Sequence, residues 1–129
     1  MKKFFRWSCI VMCTWVGVSC SARYYMKRGN VIRETGRFYK AGTKYEKAYD
    51  KSKRPEVQAV AAMHIARCYE DVNKLTDAYN WYRKALRADK ELPEAYLKLA
   101  EVSIARGELE TAEENYTRFD ELFPDDERG

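Results

Sequence analysis

Histidine occurs once in the 129 residues, at His64, so a metal centre built from clustered imidazoles is excluded. The six glycines are scattered, and no glycine-rich loop that could cradle a phosphate is present. Serine, cysteine and acidic residues form no nucleophile motif. An enzyme is therefore not expected, nor a cofactor or bound metal. Proline is also scarce, at three residues, which leaves long stretches free to be helical. Long apolar runs are missing too. The uncharged stretch Trp7 to Val18 falls short of the ~20 residues a membrane-spanning helix needs. Cysteine occurs four times, at Cys9, Cys13, Cys20 and Cys68, and the first two fall in the N-terminal stretch, so an internal disulfide depends on the fate of that stretch and of Cys20.

The chain opens with "MKKFFRWSCIVMCTWVGVSC": a basic start at Lys2, Lys3 and Arg6, the apolar stretch, then small residues. This is the layout of a secretory signal peptide, residues 1–19. Ordinary cleavage near "VSC" or "CSA" is one outcome. The other is the lipoprotein route, in which Cys20 becomes an acylated N-terminus. Ser19 before Cys20 is similar to a bacterial lipobox, whereas Gly17 stands where Leu is usual. Acylation at Cys20 would leave Cys68 as the sole thiol, read as a small buried hydrophobe in "HIARCYED".

The 34 % of charged residues suits a helix-rich body, and the formal charge is +4. Most of that excess sits in the leader, so the charge does not indicate nucleic-acid binding. The rest is asymmetric. Ser21 to Arg54 carries 11 basic and 3 acidic residues, whereas Glu91 to Gly129 carries 4 basic and 12 acidic. Two consequences are open: a basic end resting on anionic lipid, or head-to-tail self-association of basic end on acidic end.

Three stretches align: "GRFYKAGTKYEKAY", "NKLTDAYNWYRKAL" and "GELETAEENYTRFD". Each starts with Gly or Asn, has Ala five residues on (Ala41, Ala78, Ala112) and Tyr four after that (Tyr45, Tyr82, Tyr116). The spacings are 37 and 34 residues, which places three extra residues around "KRPE". Upstream, Tyr25, Gly29 and Ile32, then Ala62, Ile65, Ala66 and Tyr69, then Tyr96, Leu99 and Ala100 recur at helical steps. Each unit reads as helix, turn, helix. Gly29, Ala66 and Ala100 are placed to let the first helix approach the second. Ala41, Ala78 and Ala112 serve that contact from the other side, and the tyrosines fill the space between units. Pro55 and Pro93 are placed to open helices and Pro124 to end the last.

The pattern resembles the tetratricopeptide repeat (TPR), with repeats at about 22–55, 59–92 and 93–126 of a domain spanning 20–129. Arg28 and Phe119 depart from it, standing where Leu and Ala are usual. The resemblance implies an all-α, right-handed α-solenoid of three helix-turn-helix units. The segments "ARYYMKRGNVIRETGRFYKAGTKYEKAYDK", "IARCYEDVNKLTDAYNWYRKAL" and "YTRFDELFPDDERG" are further similar to the N-terminal TPR region of PorE-type OmpA-family lipoproteins of type IX secretion. That resemblance implies an outer-membrane lipoprotein facing the periplasm, an adaptor in an envelope assembly. Alternatives are an accessory lipoprotein of β-barrel assembly, or an adaptor of peptidoglycan hydrolases, with a link to peptidoglycan-binding components.

TPR arrays present a concave surface lined by the first helix of each unit. The register places three rows across it: Met26, Met63 and Leu97; Asn30, Arg67 and Glu101; Arg33, Glu70 and Ile104. Arg23, Val60 and Glu94 flank them. The first row would accept an apolar side chain of a protein or peptide partner, and the second would hydrogen-bond its backbone. The Lys and Asn clamp with which some TPR proteins hold a C-terminal carboxylate is not expected. Met26 stands at its first Lys position, although Asn30 is in place. At the far end, Phe119, Leu122 and Phe123 are expected to lack a neighbour and to await a further element.

Overall fold

The computed structural model describes residues 20–128, which fold as six α-helices with no strand among them. These are α1 (20–34), α2 (Phe38–Lys51), α3 (Pro55–Asp71), α4 (Leu75–Ala88), α5 (Pro93–Ala105) and α6 (Leu109–Leu122). The expected signal peptide lies outside the described residues. No helix among the described residues is long and apolar enough to cross a membrane.

The repeated Gly or Asn ends the first helix of each unit. Gly36, Asn73 and Gly107 have φ of 74°, 58° and 80°, a left-handed backbone that Gly and Asn adopt most readily. After α3, the Asn73 N–H donates to the Glu70 carbonyl at 2.9 Å and the Lys74 N–H to Tyr69 at 2.8 Å. After α5, Gly107 and Glu108 repeat the pattern on Ile104 and Ser103, both at 2.9 Å. These paired bonds satisfy carbonyls that a helix end leaves open and turn the chain back on itself. Pro55 and Pro93 sit at the first positions of α3 and α5, where a missing N–H costs no hydrogen bond. The three extra residues do not lengthen a linker. They add a turn to the start of α3, which has 17 residues against 13 in α5. Gln58 in that turn donates to the Ser52 carbonyl at 2.9 Å and ties the turn to α2's end.

Successive helices pack pairwise into two layers, α1, α3 and α5 in one and α2, α4 and α6 in the other. Small residues set the spacing. A Cβ on buried Gly29 would fall 2.5 Å from the Tyr45 ring. Ala41, Ala66, Ala78 and Ala100 are wholly buried. One cluster joins Ala41 and Tyr45 of α2 to Ile65 and Cys68 of α3. Another joins Ala62, Met63 and Ala66 of α3, Ala78, Tyr82 and Ala85 of α4, and Ala95, Leu99 and Val102 of α5. This apolar burial, at about 25 cal/mol per Å², is the main force holding the units in register.

The third unit departs from expectation twice. Tyr45 and Tyr82 are fully buried, but Tyr116 is half-buried, because no described helix follows α6 to cover it. Phe119 lacks no neighbour: it is fully buried, with Phe123 5.7 Å away, and Phe123 in turn lies 6.1 Å from Tyr96. The chain after α6 thus folds onto its own unit, and only Leu122 of the three stays exposed.

Candidate interaction face

The face of α1, α3 and α5 is lined by polar side chains that reach from helix to helix. Arg33 of α1 donates to Asp71 of α3 from Nε at 3.1 Å and from Nη2 at 2.7 Å. Arg67 of α3 pairs with Glu94 of α5. Lys98 of α5 lies 3.8 Å from Glu70 of α3 and also pairs with Glu101 one turn along. The buried tyrosines send their hydroxyls to the same face. Tyr45 donates to Asn30 Oδ1 at 2.7 Å, and Tyr82 donates to Glu70. The Arg33–Asp71, Arg67–Glu94 and Lys98–Glu70 links bridge adjacent units and fix their rotation about one another, while the tyrosine bonds tie the two helices of one unit. Half-exposed ion pairs of this kind contribute only about 0–1 kcal/mol each, so a ligand can exchange with them at little cost.

The structure redistributes the residues expected there. Asn30, Arg33, Arg67, Glu70 and Glu101 do share the face, although Arg33 is paired with Asp71 and not with Glu70. The apolar row fails as an open binding strip. Met63 is 6 % exposed and belongs to the core cluster around Tyr82. Met26 is half-buried against the cluster around Tyr45, and Leu97 is half-buried. The reason is that α3 and α5 are each covered on two sides, by their own unit's second helix and by the preceding unit, while Met26 of α1 packs against the cluster that α2 and α3 share. Residues one step round from the polar row therefore turn inward. Apolar surface is instead open at the edges, at Val60 (45 % exposed) and Ile104 (49 % exposed). Ala22, Arg23, Met26, Val57 and Val60 line a shallow recess at the α1 and α3 starts.

Asp71 and Lys98 were missed by sequence reasoning, which read His64 as a packing or half-exposed residue and placed it in no row of the face. Lys27, His64 and Lys98 directly follow Met26, Met63 and Leu97, at the same repeat spacing, and that register was the signal that could have placed His64 and Lys98 on the face. His64 stacks on Tyr45, with ring centroids 4.8 Å apart and 16° between planes. Beside it, Asn30, Arg33, Glu34, Phe38 and Asp71 complete an open recess. Burial lowers the His64 pKa from its usual 6.5 to about 4, helped by the nearby Arg67 and Arg33 charges and opposed by Glu94. Burial likewise pushes the Tyr45 phenol up to about 12 and the Cys68 thiol up to about 11. Cys68 is thus a buried, unreactive thiol, whereas Cys20 is exposed. No group of three or more metal-ligating side chains occurs among the described residues.

The His64 shift has a stability consequence. Between pH 6.5 and about 4 the unfolded chain takes up the imidazole proton and the folded chain does not. Its contribution is complete above pH 6.5 and is lost as pH falls to about 4. Allowing for its partial exposure, the loss is about 1–2 kcal/mol. Denaturant titrations at pH 7 and pH 4.5 should show that His64→Phe loses less stability on acidification than the parent by this amount. Equal losses would remove the assignment.

A tetratricopeptide-repeat family model matches residues 59–92, most of α3 and all of α4. No curated protein sequence matches the chain. Among solved structures, the chain is similar to the first TPR of Spaghetti (RPAP3) bound to the HSP90 peptide SRMEEVD. The identity is 24 % and the TM-score 0.73, over 84 % of this chain and 86 % of that one. The TPR domain of Arabidopsis FLU is similar at 20 % identity and TM-score 0.76, over 84 % of this chain and 99 % of that one. The first TPR domain of human RPAP3 is similar at 23 % identity and TM-score 0.71, over 83 % and 82 % of the two chains. The chain has the TPR fold: an all-α repeat solenoid.

Proposed function

We propose that this chain is a non-enzymatic scaffold that holds an extended segment of another protein along the face of α1, α3 and α5. The observation that carries this reading is the continuous polar row from Asn30 through Arg33, Arg67 and Glu70 to Lys98 and Glu101. Its donors and acceptors lie on rigid helices and are held by exchangeable ion pairs, which suits recognition of a peptide backbone and its charged side chains. A similar fold in the Spaghetti structure carries a bound peptide, which supports the same use here. A peptide selected from a random displayed library should bind Asn30→Ala/Arg67→Ala at least about tenfold more weakly than the parent, a loss of ~1.4 kcal/mol. Helical circular dichroism should be unchanged. Equal affinity would place the binding elsewhere.

The scaffold would work at the periplasmic side of the outer membrane, tethered through acylated Cys20, as an adaptor in an assembly of the type IX secretion kind. The leader layout, exposed Cys20 and the PorE-type resemblance support this part of the reading. Each buried acyl methylene adds ~0.8 kcal/mol, so several chains hold a protein on a bilayer. Cys20→Ser should move the protein from the membrane fraction to the soluble fraction after a high-salt wash. Retention on the membrane would exclude the lipid tether.

A further inference from the structure

The stacking of one unit on the next uses the same positions at both internal junctions. On the leading side of each junction are Ala61, Ile65 and Cys68 in α3, and Ala95, Leu99 and Val102 in α5, all buried. On the trailing side are Ala41 and Tyr45 in α2, with half-buried Tyr49, and at the corresponding positions Ala78 and Tyr82 in α4, with half-buried Leu86; buried Ala85 and half-buried Tyr79 join them in α4. Shifting by the 37- and 34-residue spacings gives the two end faces of the described solenoid. The leading face of α1 consists of Tyr24, Arg28 and Val31. Tyr24 is 58 % exposed and Val31 56 % exposed, and Arg28 is exposed between them. The trailing face of α6 offers Glu113, Tyr116 and Asp120, whereas Phe119, at the position of Ala85, is already buried beside Phe123. There Glu113 replaces Tyr79 and Asp120 replaces Leu86, both acids are exposed, and Tyr116 is half-buried between them.

The substitutions are complementary. A junction formed elsewhere by two apolar faces has here become an apolar pair, Tyr24 and Val31, around one cation, and a tyrosine flanked by two acids. The surroundings reinforce the signs: Lys27 stands beside Arg28, and Glu110, Glu114 and Glu121 lie on α6. We propose that the α6 end face of one copy docks on the α1 end face of a second, continuing the solenoid head to tail. Arg28 would take the place that Leu99 occupies over Tyr82, lying over Tyr116 and between Glu113 and Asp120. Because the contact is heterologous and continues the line of the solenoid, copies would add end to end and give open stacks rather than a symmetric dimer. This inference is independent of peptide binding on the inner face, whose residues it does not use.

The test uses the full 129-residue chain in non-ionic detergent, which occupies the apolar leader. Sedimentation velocity of the parent should show species growing with concentration at about 0.1 M salt, and a monomer at about 1 M, where the screening length falls from ~10 Å to ~3 Å. Arg28→Glu and the pair Glu113→Lys/Asp120→Lys should each remain monomeric at low salt, with parental melting curves because all three residues are exposed. Mixed in equal amounts, the two variants should associate again into open alternating stacks, since the acidic leading face of the first meets the basic trailing face of the second, and the unaltered trailing face of the first meets the unaltered leading face of the second. A monomeric parent at low salt would overturn the proposal, as would variants that associate like the parent, or a mixture that stays monomeric. If Arg28→Glu instead only weakens binding to vesicles containing anionic lipid, the α1 face belongs to the membrane and the stack is wrong.

Discussion

Tyr82→Ala should lower the stability of the chain by about 3–5 kcal/mol, the cost of removing a fully buried aromatic ring. Tyr82 lies in the cluster that joins α3, α4 and α5, so its ring stabilises both its own unit and the junction with the next. Its hydroxyl also donates to Glu70, whose other partner is Lys98 of the third unit. Domains of this size have total stabilities of about 5–15 kcal/mol, so the loss removes a large part of the whole. The thermal midpoint should fall by about 15–30 °C. In a solenoid, stability is a sum of unit and junction contributions, so the transition should also broaden as the third unit uncouples from the second. Tyr82→Phe separates the two roles: it keeps the ring, loses one hydrogen bond and should cost about 1 kcal/mol. A thermal melt of Tyr82→Ala within a few degrees of the parent would show that this ring does not hold the junction.

Gly29→Leu carries the second largest effect. Even a Cβ there meets three atoms of the Tyr45 ring at 2.5 to 2.9 Å, far inside van der Waals contact. Replacing Gly in a helix gains up to ~1 kcal/mol of propensity, but forcing a side chain into a packed core costs about 1–3 kcal/mol and more for a branched one. Tyr45 cannot rotate away without losing its bond to Asn30 and its stack on His64. The clash therefore outweighs the propensity, and a net loss of about 2–3 kcal/mol is expected in a denaturant titration. The effect should depend on the ring. Gly29→Leu placed in a Tyr45→Ala background should cost much less, because the leucine then fills the space the ring leaves. A Gly29→Leu chain as stable as the parent would mean that α1 does not pack closely on α2.

These two positions also show why the fold was readable. Gly36, Asn73 and Gly107 recur at turns that demand a left-handed residue, and Gly29, Ala66 and Ala100 at contacts that demand a small one. Such requirements are local and leave few residue choices, so they mark the chain at a fixed period. The candidate face was only half readable. Asn30, Arg67 and Glu101 are polar residues one repeat apart and could hardly be buried. Met63 belongs to a helix covered on two sides, and its apolar side chain follows the wider buried stripe into the core. The partners of Arg33 and Glu70 depend on the rotation between units, which has no signature in any single repeat. The same holds at the end of the array. Phe119 is covered because the chain after α6 bends back through Phe123 towards Tyr96, a path that helical periodicity does not encode.

The central claim is that the layer of α1, α3 and α5 is the surface that other proteins use. The most direct measurement is an amide chemical-shift map of the chain on titration with a peptide selected to bind it. The account predicts perturbations concentrated in residues 20–34, 55–71 and 93–105, strongest around Asn30, Arg67 and Lys98, with α2, α4 and α6 largely silent. Perturbations concentrated on α2, α4 and α6, with the inner layer unchanged, would contradict it.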